Sequence, residues 1–542
     1  MTVIVKETVA QRVERIKREK PSWSILDDIA RYAREGFDAI SNDDLTVRLR
    51  AWGLYTQGDG QGVRGDGVRY FMMRVRTPNG ALTSDMARAM AGVSARYARG
   101  SLDITNRQNF QLHWLRIEDV PAIWDALAEV GWTSQGACGD NTRTVTGCPL
   151  AGLDGTEVVD ASPVAIAVDR HMNGNELYAN FPRKFKITIT GCSRWCTYPE
   201  INDIGLTAVR RGTEIGFSLR VGGGLSTRPH LAERLDAFVE WDQVPAVVEA
   251  VASIFRDSDE LRLNRAKARM KFLFLVHGWT AERFLAEVER RLGYKLAPAV
   301  VERAPDGAFR DHVGLQPEKT EGHFYAGFAV AAGRITPDQL VRIADLADAY
   351  GSGALRTTVM QNIVVPGIAA GRLRAFVSAA ETVGVPIDAS SFRRATVACT
   401  GSEYCKLAIV ETKAFGAGLI DELERRMPGY DALVKIHITG CPNSCGQHWI
   451  ADIGLQGVRV TVDGVEVDGM DIFVGGGLGA SPAVARRIGV RIPSADAPAA
   501  MERLLRGYVE TRQADERFRE WVGRVGQETV GEYLVPNGAG TP

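Results

Sequence analysis

Four cysteines in the last third of the chain have the types and spacing of an iron–sulfur ligand set. Cys399 and Cys405 stand in ACTGSEYC, and Cys441 and Cys445 stand in TGCPNSC. Two local pairs of thiolates are the ligands that a [4Fe–4S] cluster needs. The C-x5-C spacing of the first pair is wider than the knuckles that usually close a tetrahedral zinc site. The pattern therefore favours a cluster, with a zinc site and unligated buried thiols as the alternatives.

Length and composition set the broad class. The chain has 542 residues, a net charge of −1, 45% hydrophobic residues and 24% charged residues. This length predicts about three domains, and the charge balance gives no reason to expect a nucleic-acid partner. The sequence contains no run of 18 apolar residues, so we expect no membrane span. The charged N-terminal segment lacks the apolar core of a signal peptide, and eight cysteines without export favour a reducing, cytoplasmic compartment.

The chain contains two copies of one module. The matching segments, first copy against second, are 185–209 (FKITITGCSRWCTYPEINDIGLTAV) with 434–458 (VKIHITGCPNSCGQHWIADIGLQGV), 105–110 (TNRQNF) with 358–363 (TVMQNI), and 221–229 (VGGGLSTRP) with 474–482 (VGGGLGASP). The offset stays between 249 residues (434 minus 185) and 253 residues (358 minus 105). Three ordered blocks at nearly the same offset indicate an internal duplication.

The first copy lacks one of the four thiols. Cys148, Cys192 and Cys196 match Cys399, Cys441 and Cys445, but the counterpart of Cys405 is Asp154. Three thiols and a carboxylate are a poor ligand set for a cubane cluster. The three cysteines are therefore interpreted either as packed remnants of the duplication or as a second metal site.

The coarse pattern of elements favours an α+β fold. Each copy reads as strand, helix, strand, strand, helix, which argues against a doubly wound sheet. We expect a helix over 22–36 with Ser22 or Ser24 near its cap, and a helix over 83–98 with Thr83 or Ser84 as its cap.

A set of cations lies within otherwise apolar strands of the first copy. It consists of Arg74, Arg76, Arg107, Arg143, Lys184 and Lys186. Charges in such strands seldom face a core without a partner. Each alone could be an ion-paired edge residue, but as a set they predict a pocket for a small anion.

The Gly60-x-Gly62-x-x-Gly65 match to a dinucleotide motif is rejected, because a strand follows where that motif needs a helix.

These motifs together resemble the sirohaem-dependent sulfite and nitrite reductases. TGCPNSC, ACTGSEYC, PRKFK, TNRQNF and the duplicated VGGGL carry the resemblance, which spans about residues 45–525. It implies a pseudo-twofold duplicated module with three domains around a central sirohaem–cluster site. The implied segments are an N-terminal extension (1–65), two ferredoxin-like half-domains (66–136 plus 323–390), a first sirohaem and substrate-cation domain (137–322) and a second, [4Fe–4S]-binding domain (391–542).

The resemblance also assigns roles. It implies that Cys399, Cys405, Cys441 and Cys445 hold the cluster and that Cys445 is also the axial thiolate of the sirohaem iron. The family's substrate-binding cations match Arg74, Arg143, Lys184 and Lys186. Arg107 matches an arginine near the sirohaem carboxylates, and a predicted helix over 262–271 either meets those carboxylates or is a solvated face.

The implied reaction is a six-electron reduction of one bound anion, either sulfite to sulfide or nitrite to ammonia. No flavin or nicotinamide motif remains, so we expect ferredoxin as a separate electron donor and, as in many such enzymes, a monomer.

Three residues favour sulfite. Lys186 stands where plant-type nitrite reductases carry Asn, and Tyr55 and Cys138 match a Tyr and a Cys that are joined beside the haem in some sulfite reductases. For these two residues, a plain buried tyrosine and a free thiol are the alternative interpretation. The alternative is nitrite, because VTGCPLAG at 145–152 resembles the nitrite branch and GCSRWC at 191–196 fits neither branch. A precorrin-3B synthase and a non-catalytic electron carrier are further alternatives, which the retained cations argue against.

Overall fold

The computed structural model describes residues 7–65, 67–306 and 311–535. Residues 7–136 form four helices, α1 (Val9–Glu19), α2 (Leu26–Glu35), α3 (Ser84–Tyr97) and α4 (Val120–Ala128), and five strands, β1 (Leu54–Thr56), β2 (Phe71–Val75), β3 (Ala81–Thr83), β4 (Leu102–Ile104) and β5 (Phe110–Leu115). The described part of 137–306 contains α5 (Ser162–Met172), β6 (Ile187–Thr190), β7 (Ile204–Arg211), β8 (Glu214–Val221), β9 (Glu233–Glu240), α6 (Val244–Arg256), α7 (Lys271–Leu275) and α8 (Ala281–Leu292).

The second copy repeats this order. Residues 311–390 contain β10 (Gly314–Pro317), β11 (His323–Phe328), β12 (Arg334–Ile335), α9 (Pro337–Tyr350), β13 (Ala354–Thr357), β14 (Ile363–Ala369) and α10 (Leu373–Ala380). Residues 391–535 contain α11 (Ser391–Ala395), β15 (Thr396–Ala398), α12 (Lys413–Arg426), β16 (Ile436–Thr439), β17 (Ile453–Val462), β18 (Val465–Val474), β19 (Arg486–Pro493), α13 (Ala497–Thr511), α14 (Phe518–Val525) and α15 (Gln527–Leu534). The predicted α+β duplication is confirmed.

Local signals account for the start of α3. The Thr83 hydroxyl accepts a hydrogen bond from the Met86 amide at 3.2 Å, as an N-cap residue does. The prediction for the earlier helix was wrong in detail. A 3₁₀ turn precedes α2, and the Ser24 hydroxyl donates back to the Pro21 carbonyl at 2.8 Å, so it does not cap the helix.

The helix predicted over 262–271 is also wrong. The chain there forms two 3₁₀ turns, Asp259–Arg262 and Arg265–Lys267, before α7 begins. The Asn264 side chain accepts from the Ala266 amide at 2.9 Å, and such a local bond competes with a continuous helix.

The two half-domains exchange strands. The sheet β1-β2-β5-β4 is completed by β12 of the second copy, and the sheet β10-β11-β14-β13 is completed by β3 of the first copy. Arg334 thereby pairs with Asp103, and Leu82 pairs with Leu355. Because α3 and α9 also pack together, both half-domains share one hydrophobic core.

The other two sheets carry the cysteine loops. In β6-β7-β8-β9 and in β15-β16-β17-β18-β19, the strand before each TGC-x3-C loop is parallel to the strand after it. The loop backbones correspond, since Trp195 and Ser444 have φ of 50° and 55°, and Tyr198 and Gln447 have φ of 57° and 63°. Among the described residues, no helix is both long and apolar enough to cross a membrane.

Candidate functional site

Parallel pairing brings the second copy's thiols to one edge of its sheet. Ala398 at the end of β15 lies opposite Ile438 of β16, and the Cys399 amide donates to the Ile438 carbonyl at 3.0 Å. Cys399 therefore lies next to the loop that follows β16. The Gly440 amide donates to the Cys399 sulfur at 3.2 Å, and the Asn443 side-chain amide lies 3.5 Å from the Cys441 sulfur.

The spacing of these four sulfurs suits a cubane better than a single ion. In the described part of the chain, one group has three or more possible metal ligands within 4.8 Å of one another, and it lies in the first copy. The four sulfurs of the second copy do not form such a close group. Ligands of a cubane bind separate iron corners, so they lie farther apart than ligands of one ion. Yet the charge of Cys445 acts on Cys399, Cys405 and Cys441, so the four thiols lie near one another, and their number and type fit a [4Fe–4S] cluster.

Burial keeps these thiols neutral in the absence of a metal. It raises the pKa of Cys405 to about 11 and that of Cys441 to about 12, and the neighbouring Cys445 adds to both shifts. Cys445 itself is exposed. Because iron binds thiolates, binding of a cluster would displace these protons, and the exposure of Cys445 would leave its sulfur accessible to a further group.

A short parallel bridge between two backbone segments of the first copy brings three of the cations together. Thr142 lies opposite Phe185, and the Arg143 amide donates to the Phe185 carbonyl at 2.8 Å. Side chains alternate along such a pairing. Buried Phe185 therefore points into the core, while Lys184, Lys186 and Arg143 share the opposite face.

Arg74 and Arg107 reach the same region from the first half-domain. Arg74 contacts the Gln111 side-chain oxygen at 2.5 Å and the Cys138 sulfur at 3.1 Å. Arg107 donates to the Asn202 side chain and to the Thr144 carbonyl, each at 2.7 Å. The pKa of Arg107 falls to about 9, because the side chain is buried and Arg143 lies near.

Five of the six predicted cations have no carboxylate oxygen of the described residues within 4.0 Å. The prediction was wrong for Arg76, which is buried and pairs with Asp169 at 2.5 Å. The pKa of Lys184 falls from 10.5 to about 7, chiefly through burial and also through neighbouring arginines, which act against an opposing effect of Cys445. Burial and the charge of Arg107 also lower the pKa of Lys186. A multiply charged anion would restore the balance, so this pocket suits both a small oxyanion and the carboxylates of a sirohaem.

The cationic pocket and the thiol loop face each other. Cys445 is among the charges that act on Lys184, and Asn106 donates to the Cys445 carbonyl at 2.5 Å. Gln111, which binds Arg74, also donates to the Thr400 hydroxyl beside Cys399 at 3.2 Å. The structure therefore joins the first copy's cations to the second copy's sulfurs.

Tyr55 and Cys138 lie at the same pocket. Tyr55 on β1 is opposite Met72, so it shares a face of the sheet with Arg74, which binds Cys138. Burial alone would lower the pKa of Arg143, but Tyr55 and Cys138 outweigh it and raise that pKa. The two side chains therefore flank the same pair of arginines.

Sequence reasoning missed the residues that orient the cations. Asn202 holds Arg107, and fully buried Asp203 accepts from the Lys186 amide and from Arg269, each at 2.8 Å. Both stand in the repeated I-x-DIGL motif, which was the available signal. Arg262 and Arg265 of the basic segment bind Glu14 and Asp140, each at 2.7 Å.

Comparison with known families matches most of the chain. The model for the nitrite and sulphite reductase 4Fe-4S domain matches residues 138–296 and 389–535. The model for the nitrite/sulfite reductase ferredoxin-like half domain matches residues 63–130 and 316–383.

Similar proteins carry both substrate names. The assimilatory ferredoxin-dependent nitrite reductase of Haloferax mediterranei is 37% identical over 97% of this chain and 94% of its own length. Sulfite reductase [ferredoxin] 1 of Mycolicibacterium paratuberculosis is 39% identical over 92% of each chain. The solved structure of the Mycobacterium tuberculosis NirA protein superposes with a TM-score of 0.91 at 36% identity, covering 97% of each chain.

Proposed function

This chain belongs to the nitrite and sulphite reductase family, and on that premise we propose that it reduces sulfite to sulfide with electrons from ferredoxin. Relatives of nearly equal identity are named for nitrite and for sulfite, so the proposal rests on the residues of the pocket. The observation that carries it is the presence of Lys186 among the cations without carboxylate partners.

The residues present fit the cofactors of this family. Cys399, Cys405, Cys441 and Cys445 would hold the cluster, Cys445 would also ligate the sirohaem iron, and Arg107 would lie near the sirohaem carboxylates. When bound, these groups supply one-electron delivery and a redox-active metal that binds the substrate.

The protein's own contribution is charge and protons. Lys186, Lys184 and the two arginines, Arg74 and Arg143, would bind and orient the anion. An ammonium about 4 Å from one unit of negative charge contributes roughly 4 kcal/mol at an effective dielectric of 20, so a dianion gains more from an extra lysine than a monoanion does. With a pKa of about 7, Lys184 can donate a proton near neutral pH as each oxygen leaves as water.

Nitrite is the second candidate. The VTGCPLAG segment at 145–152 resembles the nitrite branch, and the Haloferax relative is named as a nitrite reductase. Both substrates need the same six electrons and the same donor, so only their relative turnover separates the two proposals.

The test is a direct comparison of the two substrates. The purified holoenzyme is assayed for sulfite and nitrite reduction with reduced methyl viologen and then with reduced ferredoxin, and the two kcat/KM values are compared. We expect the larger value for sulfite. A larger value for nitrite would overturn the sulfite assignment and leave the family membership intact.

We also propose a monomeric enzyme of the cytoplasm. The family resemblance supports the first point. The eight cysteines, which form no disulfide in the described part of the chain, support the second, because thiols persist in reducing compartments.

A further inference from the structure

Three buried thiols of the first copy lie close together, away from the proposed cluster site. The ligand atoms of Cys148, Cys192 and Cys196 lie within 4.8 Å of one another, and the sulfurs of Cys192 and Cys196 are 3.2 Å apart. All three side chains are at most 6% exposed. The Arg194 amide also donates to the Cys192 sulfur at 3.3 Å.

The equivalent loops of the two copies use their sulfurs differently. Both loops have a left-handed residue just before the second cysteine, Trp195 in one and Ser444 in the other. Cys196 is nevertheless buried, whereas its counterpart Cys445 is exposed. The same backbone thus carries a contracted group of three sulfurs in the first copy and a wider group of four in the second.

The contracted group has the size of a site for one ion. Zinc binds thiolate sulfur at about 2.3 Å in tetrahedral geometry, which places two ligand sulfurs about 3.8 Å apart. A cubane is disfavoured, because the position equivalent to Cys405 is Asp154, whose carboxylate already accepts from the Thr156 amide and hydroxyl at 2.9 Å.

A buried imidazole lies near the thiols but outside the group of ligand atoms that lie within 4.8 Å of one another. His312 lies in the segment that links the two copies, is 2% exposed and has φ of 63°. It is among the charged groups that act on Cys192. Its position is held by its neighbour Asp311, whose carboxylate pairs with Arg394 of the second copy at 2.9 Å.

We propose that Cys148, Cys192 and Cys196 bind one structural Zn²⁺ ion, and that the imidazole of His312 moves in to take the fourth position when the ion binds. Three sulfurs and one imidazole nitrogen form a closed tetrahedral site with no open position for a substrate. The ion would tie the loop after β6 and the Cys148 segment to the linker between the copies. This proposal does not rest on the choice between sulfite and nitrite.

Metal analysis of the holoenzyme tests the site without any substitution. The protein is purified in buffer free of added zinc, and its zinc and iron are quantified together. We expect one zinc per chain beside the iron of one cluster and one sirohaem. Zinc-edge X-ray absorption should fit three sulfurs at about 2.3 Å and one nitrogen at about 2.0 Å.

Two results would overturn the proposal at this stage. One is full iron loading with only trace zinc. The other is a mass lower by two hydrogens in the peptide that contains Cys192 and Cys196, which would identify a disulfide instead of a metal site.

Variants then locate the ion. Cys192→Ala should lose the zinc and keep the iron, and His312→Ala should weaken zinc retention against a chelator and remove the nitrogen from the absorption fit. Ser193→Ala, in the same loop, should keep the zinc. Retention of zinc by a folded Cys192→Ala variant would place the ion elsewhere. If that variant does not fold, the wild-type ligand set from absorption decides the question.

Discussion

Asn106 donates a hydrogen bond of 2.5 Å to the main-chain carbonyl of Cys445. The first residue lies in the TNRQNF turn of the first copy, and the second is the last thiol of the second copy. The turn also carries Arg107, so this contact fixes a cation of one copy relative to a sulfur of the other. The proposed active site is therefore a product of the interface between the copies.

Lys186→Asn tests the basis for choosing sulfite. Removal of one ammonium should lower kcat/KM for sulfite by about tenfold or more, since about 1.4 kcal/mol corresponds to a factor of ten. The loss for nitrite should be smaller, because nitrite carries one charge fewer. Exposed Lys267→Asn is the matched control and should change neither value. Equal losses for the two substrates would remove Lys186 as the discriminating residue.

Cys445→Ser tests the proposed shared ligand. We expect loss of the cluster signal and a shifted sirohaem absorption band in the same preparation, because one sulfur would serve both groups. Iron content and the visible spectrum measure the two effects. Cys196→Ser, its counterpart in the first copy, should keep both signals. A Cys445→Ser protein with unchanged iron and spectrum would contradict the ligand assignment.

Tyr55 and Cys138 are expected to be covalently joined in the active enzyme. Both flank Arg74 and Arg143 at the pocket. Peptide mass spectrometry of the holoenzyme should find the two peptides linked, with a mass two hydrogens below their sum. The link should vanish in Cys138→Ser. Two separate peptides from fully active wild-type enzyme would contradict this expectation.

Asp103→Asn should destabilise the interface between the two copies. Burial alone would raise the pKa of Asp103, but Lys413, His113 and Arg334 hold it well below its usual range. Asp103 pairs with Arg334 at 2.8 Å, and its side chain is 2% exposed. Loss of one partner of a buried pair costs about 3–5 kcal/mol, measurable by denaturant unfolding.

The matched control for Asp103 is another pair between the copies. Arg88 and Asp345 also join the two half-domains at 2.7 Å, but the Asp345 side chain is 60% exposed. Asp345→Asn should cost less than about 1 kcal/mol. A similar decrease in the free energy of unfolding for both variants would mean that burial does not determine how much each ion pair stabilises this interface.

Two buried histidines should make the second copy sensitive to acid. Burial lowers the pKa of His437 and of His448 from 6.5 to about 3. Between these values the unfolded chain binds a proton that the folded chain does not. Stability is therefore fully present above about pH 6.5 and falls by about 1.4 kcal/mol per pH unit for each histidine as the pH decreases.

His448→Phe should make this pH dependence less steep. The ring packs 4.7 Å from Trp449 and 4.7 Å from Phe473, so an apolar ring suits the position. Unfolding free energies from pH 7 to pH 4.5 measure the slope. An unchanged slope in His448→Phe would contradict the argument.

The amino-acid sequence by itself determined the local elements and the duplication. Thr83 capped the helix as predicted, because a cap depends on residues within one turn. The exceptions were also local. The Ser24 hydroxyl donates a hydrogen bond instead of capping the helix, and the Asn264 side chain interrupts the predicted 262–271 helix. The periodicity of hydrophobic residues does not predict either of these hydrogen bonds.

Only the tertiary structure decided how the copies combine. The exchange of β3 and β12 pairs residues more than 200 positions apart, such as Asp103 with Arg334, and local preferences carry no information on such contacts. The separation of the sulfurs also depends on packing, since equivalent loops bury Cys196 and expose Cys445. Sequence spacing predicted which thiols belong together, but burial and long-range pairing determined the space they enclose.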